Sequence, residues 1–359
     1  MIVDVTGFGW SGSGALHDLL REYDDVHFAS FEDFEFTLLW EVDGIADLEY
    51  KLCDKHCRYV DSDKAIQRFL SKVKSLEDIK CFRYKELFHG DFYMLCKKYI
   101  DDLTQVEYNA RNYDEIISND FKEKRYMFLT KFWSRLLCNR IMWPVVWKLF
   151  HRNIVQDIVK PNNHTIRLAY NPENFIGRTH QLMHDLFDYL KPEEGQIPII
   201  TDQFFPPDCP ERFFKYIDEE AKCIVVKRDP RDLYLLSKFA YHSFIPIPTQ
   251  TVEDFIIFYK KTIEETITPD TTRHITINFE DLVYDYDNTV KKIEDFVCVK
   301  AHTKKYAYFD PNKSIQNTQL YNYYKDCEND IRKIEAALPA SLFSFESYSH
   351  SDVIRNNVY

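Results

Sequence analysis

Ile2-Val3-Asp4-Val5-Thr6-Gly7-Phe8-Gly9-Trp10-Ser11-Gly12-Ser13-Gly14-Ala15-Leu16 opens the chain and decides how the rest is read. A short apolar run reads as a buried strand. Four of the eight glycines in 359 residues then fall between Gly7 and Gly14. Such a concentration asks for a backbone that turns sharply and comes close to something. Ala15-Leu16-His17-Asp18-Leu19-Leu20 follows with apolar residues at helical spacing, so the glycine loop joins a strand to a helix N-terminus. That arrangement aims backbone N–H groups from Trp10 to Ala15 at an anion, with the Ser11 and Ser13 hydroxyls as further donors.

Gly7 and Gly12 are spaced as in a nucleotide-triphosphate loop, yet Ser13 and Gly14 stand where that loop carries lysine and a metal-binding Ser or Thr. The residues therefore suit a phosphate held without a metal. A dinucleotide fingerprint is disfavoured, because no acidic ribose ligand follows a clear second strand about 20 residues on. A tight turn with no ligand remains the bland alternative.

A second anion site is legible further on. Cys223-Ile224-Val225-Val226 reads as a buried strand leading to Lys227-Arg228-Asp229-Pro230-Arg231-Asp232 and then a helix through Ser237. Asp229 is a suitable N-cap, Pro230 suits the first helical position, and Asp232 complements the helix dipole. Arg228 and Ser237 are the phosphate candidates; the alternative is a solvated helix start.

Between and beyond these sites, short strands alternate with helices from residue 165: strands at 165–170, 197–201, 222–226 and 274–279, helices at 175–190, 210–217, 230–240 and about 288–297. This predicts an α/β fold with right-handed crossovers and a mostly parallel sheet. Residues 62–160 read as a helical, aromatic insertion containing Trp133, Trp143 and Trp147. The whole of 1–359 is expected to be one domain.

Composition narrows the partners. Hydrophobic residues make up 45% and aromatics 16%, enough for a packed globule, and a net charge of −12 disfavours nucleic acid. Nine cysteines without a repeated spacing predict reduced thiols in the cytoplasm, and Cys53-His56-Cys57 lacks the second half of a zinc site. No secretory signal is expected, because the first strand begins at Ile2 without a basic n-region or cleavage site, and no transmembrane segment, because the most apolar stretch, Phe128 to Phe150, contains four basic residues and Pro144.

Four segments in this order resemble the sulfotransferases that use 3′-phosphoadenosine 5′-phosphosulfate (PAPS). Trp10-Ser11-Gly12-Ser13-Gly14-Ala15-Leu16 resembles their 5′-phosphosulfate loop, and Arg228-Asp229-Pro230 with Ser237 their 3′-phosphate site. Phe279-Glu280-Asp281-Leu282-Val283 is similar to a strand-to-helix junction, and Lys313 through Tyr321, including Asn317, to the late loop that closes over the nucleotide. The matches imply a three-layer P-loop type fold, PAPS as donor, adenosine 3′,5′-bisphosphate as product, no metal, and a hydroxyl-bearing acceptor such as a carbohydrate.

Two positions depart from the family. Trp10 stands where the family has a lysine or arginine, with Arg178, Lys227 and Lys313 as replacement cations, and Ser237 lies nine residues after Arg228 rather than eight. For the base, the resemblance points to Ile199-Ile200-Thr201-Asp202-Gln203-Phe204-Phe205. Asp202 is the candidate, Gln203 would orient the acceptor, and Phe204 and Phe205 would supply an apolar surround; His180 and His184 are alternative bases. The competing expectations are a lysine-less kinase and a nucleotide-binding protein without turnover.

Overall fold

The computed structural model describes residues 1–29, 35–55, 59–80, 83–110, 164–190, 198–239 and 247–345. In chain order its main elements are β1 (Ile2–Gly7), α1 (Ser13–Leu20), β2 (His27–Phe28), α2 (Ile45–Glu49), α3 (Tyr59–Asp78), α4 (Tyr84–Leu87) and α5 (Phe92–Leu103). Next come β3 (Val106–Ala110), β4 (His164–Leu168), α6 (Phe175–Phe187), β5 (Ile199–Asp202), β6 (Ala221–Lys227) and α7 (Pro230–Phe239). The chain continues with α8 (Val252–Tyr259), β7 (His274–Asn278), α9 (Phe279–Tyr284), α10 (Tyr286–Val297), α11 (Pro311–Ser314) and α12 (Glu328–Ala337).

Five strands form a wholly parallel sheet in the order β2-β5-β1-β6-β7. β1 lies in the middle, so the strand before the glycine loop is covered on both faces, which explains its lack of an exposed polar side. Ile2 joins a core with the helices α2, α3, α5 and α6, while Val3 and Val5 face Leu16, Leu19 and Leu20 of α1 and the apolar residues of α9 and α10. Asp4 is the exception in this strand. Fully buried, it accepts Thr201 Oγ1 and the Phe204 N–H at 2.9 Å each, and the Phe205 N–H at 2.9 Å. Burial nevertheless pushes its pKa up to about 7.

From β1 the chain crosses to β2 on one side, returns to β5, and only then crosses to β6 and β7 on the other. The direction of winding therefore changes at β1. In open α/β sheets such a change opens a crevice beyond the carboxyl ends of the strands, and the glycine loop occupies that place.

Several expectations need correction. The strand expected at 165–170 is β4, which leaves the main sheet and pairs antiparallel with β3. β3 itself falls inside the stretch read as helical, whose described part is helical only as far as Leu103; residues 111–160, with the three tryptophans, lie outside the described residues, as do His56 and Cys57. The helix expected at 210–217 is two short 3-10 turns, Pro210–Arg212 and Phe214–Tyr216. Among the described residues no helix is long and apolar enough to cross a membrane, and no group of three or more His, Cys, Asp or Glu is arranged to hold a metal ion.

Candidate functional site

The glycine loop is built by steric demand. A Cβ on Gly12 would lie 2.6 Å from the Phe279 ring, and φ there is +99°; a Cβ on Gly7 would lie 2.2 Å from Ser11 Oγ and 3.2 Å from the Val226 carbonyl. Gly12 ends the loop in the left-handed region and leaves the first turn of α1 without a side-chain cap. The Ala15 N–H of that turn donates to the Gly12 carbonyl at 3.1 Å, and no side chain caps the turn. Ser11, predicted as a ligand donor, is buried, and its hydroxyl accepts the Phe8 N–H at 3.1 Å, so it shapes the loop. Ser13 is partly buried, while Trp10 and Gly14 are exposed. At Gly14 a Cβ would meet nothing within 4 Å, which marks the open side of the loop.

Arg228 leaves the end of β6 and reaches across to this loop. Its Nη1 donates to the Trp10 carbonyl at 3.2 Å, its Nη2 donates to the Asn317 carbonyl, and its guanidinium lies 4.6 Å from the centre of the Phe279 ring. One buried side chain thereby touches three of the four segments far apart in sequence, and Phe279 in turn packs on Gly12. Arg228 is the cation that the fold brings to the first loop, whereas the three replacements named from sequence are placed differently. Arg178 lies 3.9 Å from Asp102, Lys313 is 82% exposed beside Asp310, and Lys227 ends β6 in register with Asn278 of β7.

Behind Arg228 sits a buried charge cluster. Arg231 grips Asp229 with two hydrogen bonds of 2.9 and 2.7 Å, and Asp229 caps α7 by accepting the Arg231 N–H, as expected of an N-cap. Asp232 does more than complement a dipole: its carboxylate accepts the N–H groups of Gln319 and Leu320 at 2.7 Å each and so anchors the late loop. Glu280 accepts the Asp229 N–H at 3.0 Å, and burial together with Asp229 pushes its carboxyl up to about 8. Burial pulls the Arg228 guanidinium below its ordinary value. Three buried polar atoms here have no hydrogen-bond partner: Arg228 Nε, Ser237 Oγ and Glu280 Oε2.

Asp202 ends β5 opposite Val5 of β1. At about 3.3 Å per residue, that places it roughly 7 Å from the start of the glycine loop. Gln203 does not reach for an acceptor. Its amide is held at both ends, accepting Thr6 Oγ1 at 2.7 Å and donating to the Gly7 carbonyl at 3.3 Å, and its own carbonyl accepts Trp40 Nε1 at 2.8 Å. Phe204 and Phe205 turn into the core with Phe36, Phe187 and Phe214 rather than surrounding Asp202. Among the described residues, His17 of α1 faces Asp202, its Nε2 lying 3.6 Å from Asp202 Oδ1. The sequence carried one signal for it: His17 is four residues past Ser13, hence on the same side of the helix.

His180 and His184 are set apart from this chemistry. His180 meets the Lys215 carbonyl at 2.9 Å, and His184 lies 3.0 Å from Asp218 and 3.1 Å from Glu219, all of which precede β6. They therefore stand at the amino edge of a strand whose carboxyl edge carries Arg228, roughly 20 Å away. Comparisons with protein-family models, with curated proteins and with solved structures found no match to this chain.

Proposed function

We propose that the chain is a PAPS-dependent sulfotransferase that moves a sulfuryl group to a hydroxyl, with a carbohydrate or glycan precursor as the acceptor class. The observation that carries this reading is the Arg228 guanidinium, bonded at once to Trp10 of the first loop and Asn317 of the late loop and lying over Phe279. Those segments are the ones whose resemblance pointed to a single nucleotide. Two donors buried without acceptors, Arg228 Nε and Ser237 Oγ, add to it, because buried polar groups are ordinarily satisfied and a phosphate oxygen would satisfy both kinds. On this reading the fold is of P-loop type with 62–160 as a helical insertion, and the protein works in the cytoplasm.

The N–H groups around Trp10 to Ala15 would hold the 5′-phosphosulfate, and Arg228 with Ser237 the 3′-phosphate. In the transfer the acceptor oxygen bonds to sulfur in line with the departing bisphosphate, which keeps the electron pair of the broken S–O bond, while Asp202 receives the hydroxyl proton. No step needs a metal in this scheme.

The decisive experiment is a thermal-shift titration with adenosine 3′,5′-bisphosphate, run against ATP with Mg²⁺ and against NAD. Metal-independent stabilisation by the bisphosphate alone, growing with its concentration, is the expected outcome; stabilisation by ATP with Mg²⁺ instead would replace this reading by a kinase. Bisphosphate binding without transfer to any hydroxyl, water included, would leave a nucleotide-binding protein. Asp202→Asn is expected to keep the bisphosphate shift while lowering turnover by roughly 10²- to 10⁴-fold, measured with PAPS.

A further inference from the structure

His17 has only 12% of its side chain exposed, and its Nε2 is a buried atom without a hydrogen-bond partner. The ring also bonds the Thr201 backbone carbonyl, to which it can only donate. Assigning Nδ1–H to the Thr201 carbonyl leaves the lone pair on Nε2. That lone pair faces Asp202 Oδ1 across 3.6 Å.

A lone pair opposite an ionised carboxylate in a buried place is unfavourable as it stands. One proton between the two atoms turns it into a charge-assisted hydrogen bond. Among the described residues, three elements bring groups to the imidazole. From β5 come Asp202 and the Thr201 carbonyl; from β2 comes the Phe28 ring, 5.8 Å from the imidazole. From α1 itself comes Arg21, whose guanidinium meets Asp18 at 3.3 Å and lies 5.6 Å from the Phe28 centroid. Burial, and secondarily Arg21, lower the imidazole pKa to about 4, so the ring is neutral near pH 7.

We infer that His17 is the positioning residue of a coupled proton acceptor, in which Asp202 takes the proton of the attacking hydroxyl and His17 Nε2 shares it through Oδ1. This rests on the sulfuryl-transfer reading above. The balance is complete: the acceptor O–H breaks, O–S forms, the bisphosphate leaves with the S–O electrons, and the proton ends between Asp202 and His17.

Two measurements on the full chain test the pair. In ¹⁵N-labelled protein, the His17 imidazole should take up its proton at a lower pH after Asp202→Asn than before, because the carboxylate that favours the shared proton is gone; an unchanged titration overturns the pair. This arm needs no turnover, so it decides the inference even if the bisphosphate proves not to bind and the sulfuryl-transfer reading fails. With PAPS and water as acceptor, His17→Asn and His17→Gln should lower kcat by roughly 10- to 10²-fold, move the acid limb of the pH profile, and leave both KM for PAPS and the bisphosphate thermal shift unchanged. Wild-type rates with an unmoved profile, or a loss of the thermal shift in both variants, would make His17 a structural residue only.

Discussion

The two halves of the candidate site are built from opposite materials. Around Gly7 to Gly14 the work is done by backbone: Gly9, Trp10 and Gly12 take positive φ angles, Gly7 and Gly12 have no room for a Cβ, and no charged side chain of the loop itself takes part. Around Arg228 the work is done by side chains: Arg228, Asp229, Arg231, Asp232 and Glu280 are all buried and bonded to one another or to distant backbone. The difference teaches why one half is rigid by local geometry while the other depends on a balance of charges that removal of any member upsets.

Arg228→Ala should upset it most. Asp229, Asp232 and Glu280 would keep Arg231 but lose the guanidinium that lies among them, and the loss of one partner from a buried ionic cluster costs about 3–5 kcal/mol. Urea denaturation measures this, and a loss below about 1 kcal/mol would show that the cluster is not held by charge. Bisphosphate affinity should fall in the same variant.

pH should separate the halves next, with opposite signs. His17 has a pKa lowered from 6.5 to about 4, so its contribution is fully present above pH 6.5 and is lost as pH falls towards 4. Over that window the loss is about 3 kcal/mol at 1.36 kcal/mol per unit, and His17→Asn should remove it from the stability–pH curve. Glu280 is raised from 4.5 to about 8, so its contribution is present below pH 4.5 and is lost as pH rises through 8. Glu280→Gln, which retains an acceptor for the Asp229 N–H, should remove the fall in stability between pH 4.5 and 8. Removal of slopes of the same sign in both variants would break the comparison.

The glycine half is sharpened by a pair of smaller effects. Gly12→Ala places a methyl against the Phe279 ring at a positive φ and should cost about 2 kcal/mol. Gly14→Ala meets open space in the first turn of α1 and should stabilise by about 0.5 kcal/mol through helix propensity, while weakening bisphosphate binding by crowding the approach to the N–H groups. Equal effects at the two glycines would mean that the loop is not shaped by the contact with Phe279.

The glycine loop was legible because its causes are local. A strand of five apolar-rich residues, glycines where φ turns positive, and leucines at helical spacing predict their own geometry, and Asp229 and Pro230 announced a helix start for the same reason. The registers that matter were not legible in that way. β4 was read as part of the main sheet because its own residues alternate like any strand, and only its antiparallel partner β3 removes it. Gln203 looked like a ligand-orienting amide until Thr6 and Gly7 claimed both of its ends.

By itself, then, the order of residues determined an α/β chain, a glycine-rich strand-to-helix loop after its first strand, and the helix cap beside Arg228, since each follows from neighbours within a few positions. Tertiary structure alone decided that Arg228 bridges Trp10 and Asn317, that Asp232 anchors the late loop, and that His17 faces Asp202. Those contacts join residues between 87 and 218 positions apart wherever the sequence separation is largest. What places them is the parallel sheet, which gathers the carboxyl ends of β1, β5 and β6 at one edge, and no local preference of the chain encodes which ends become neighbours.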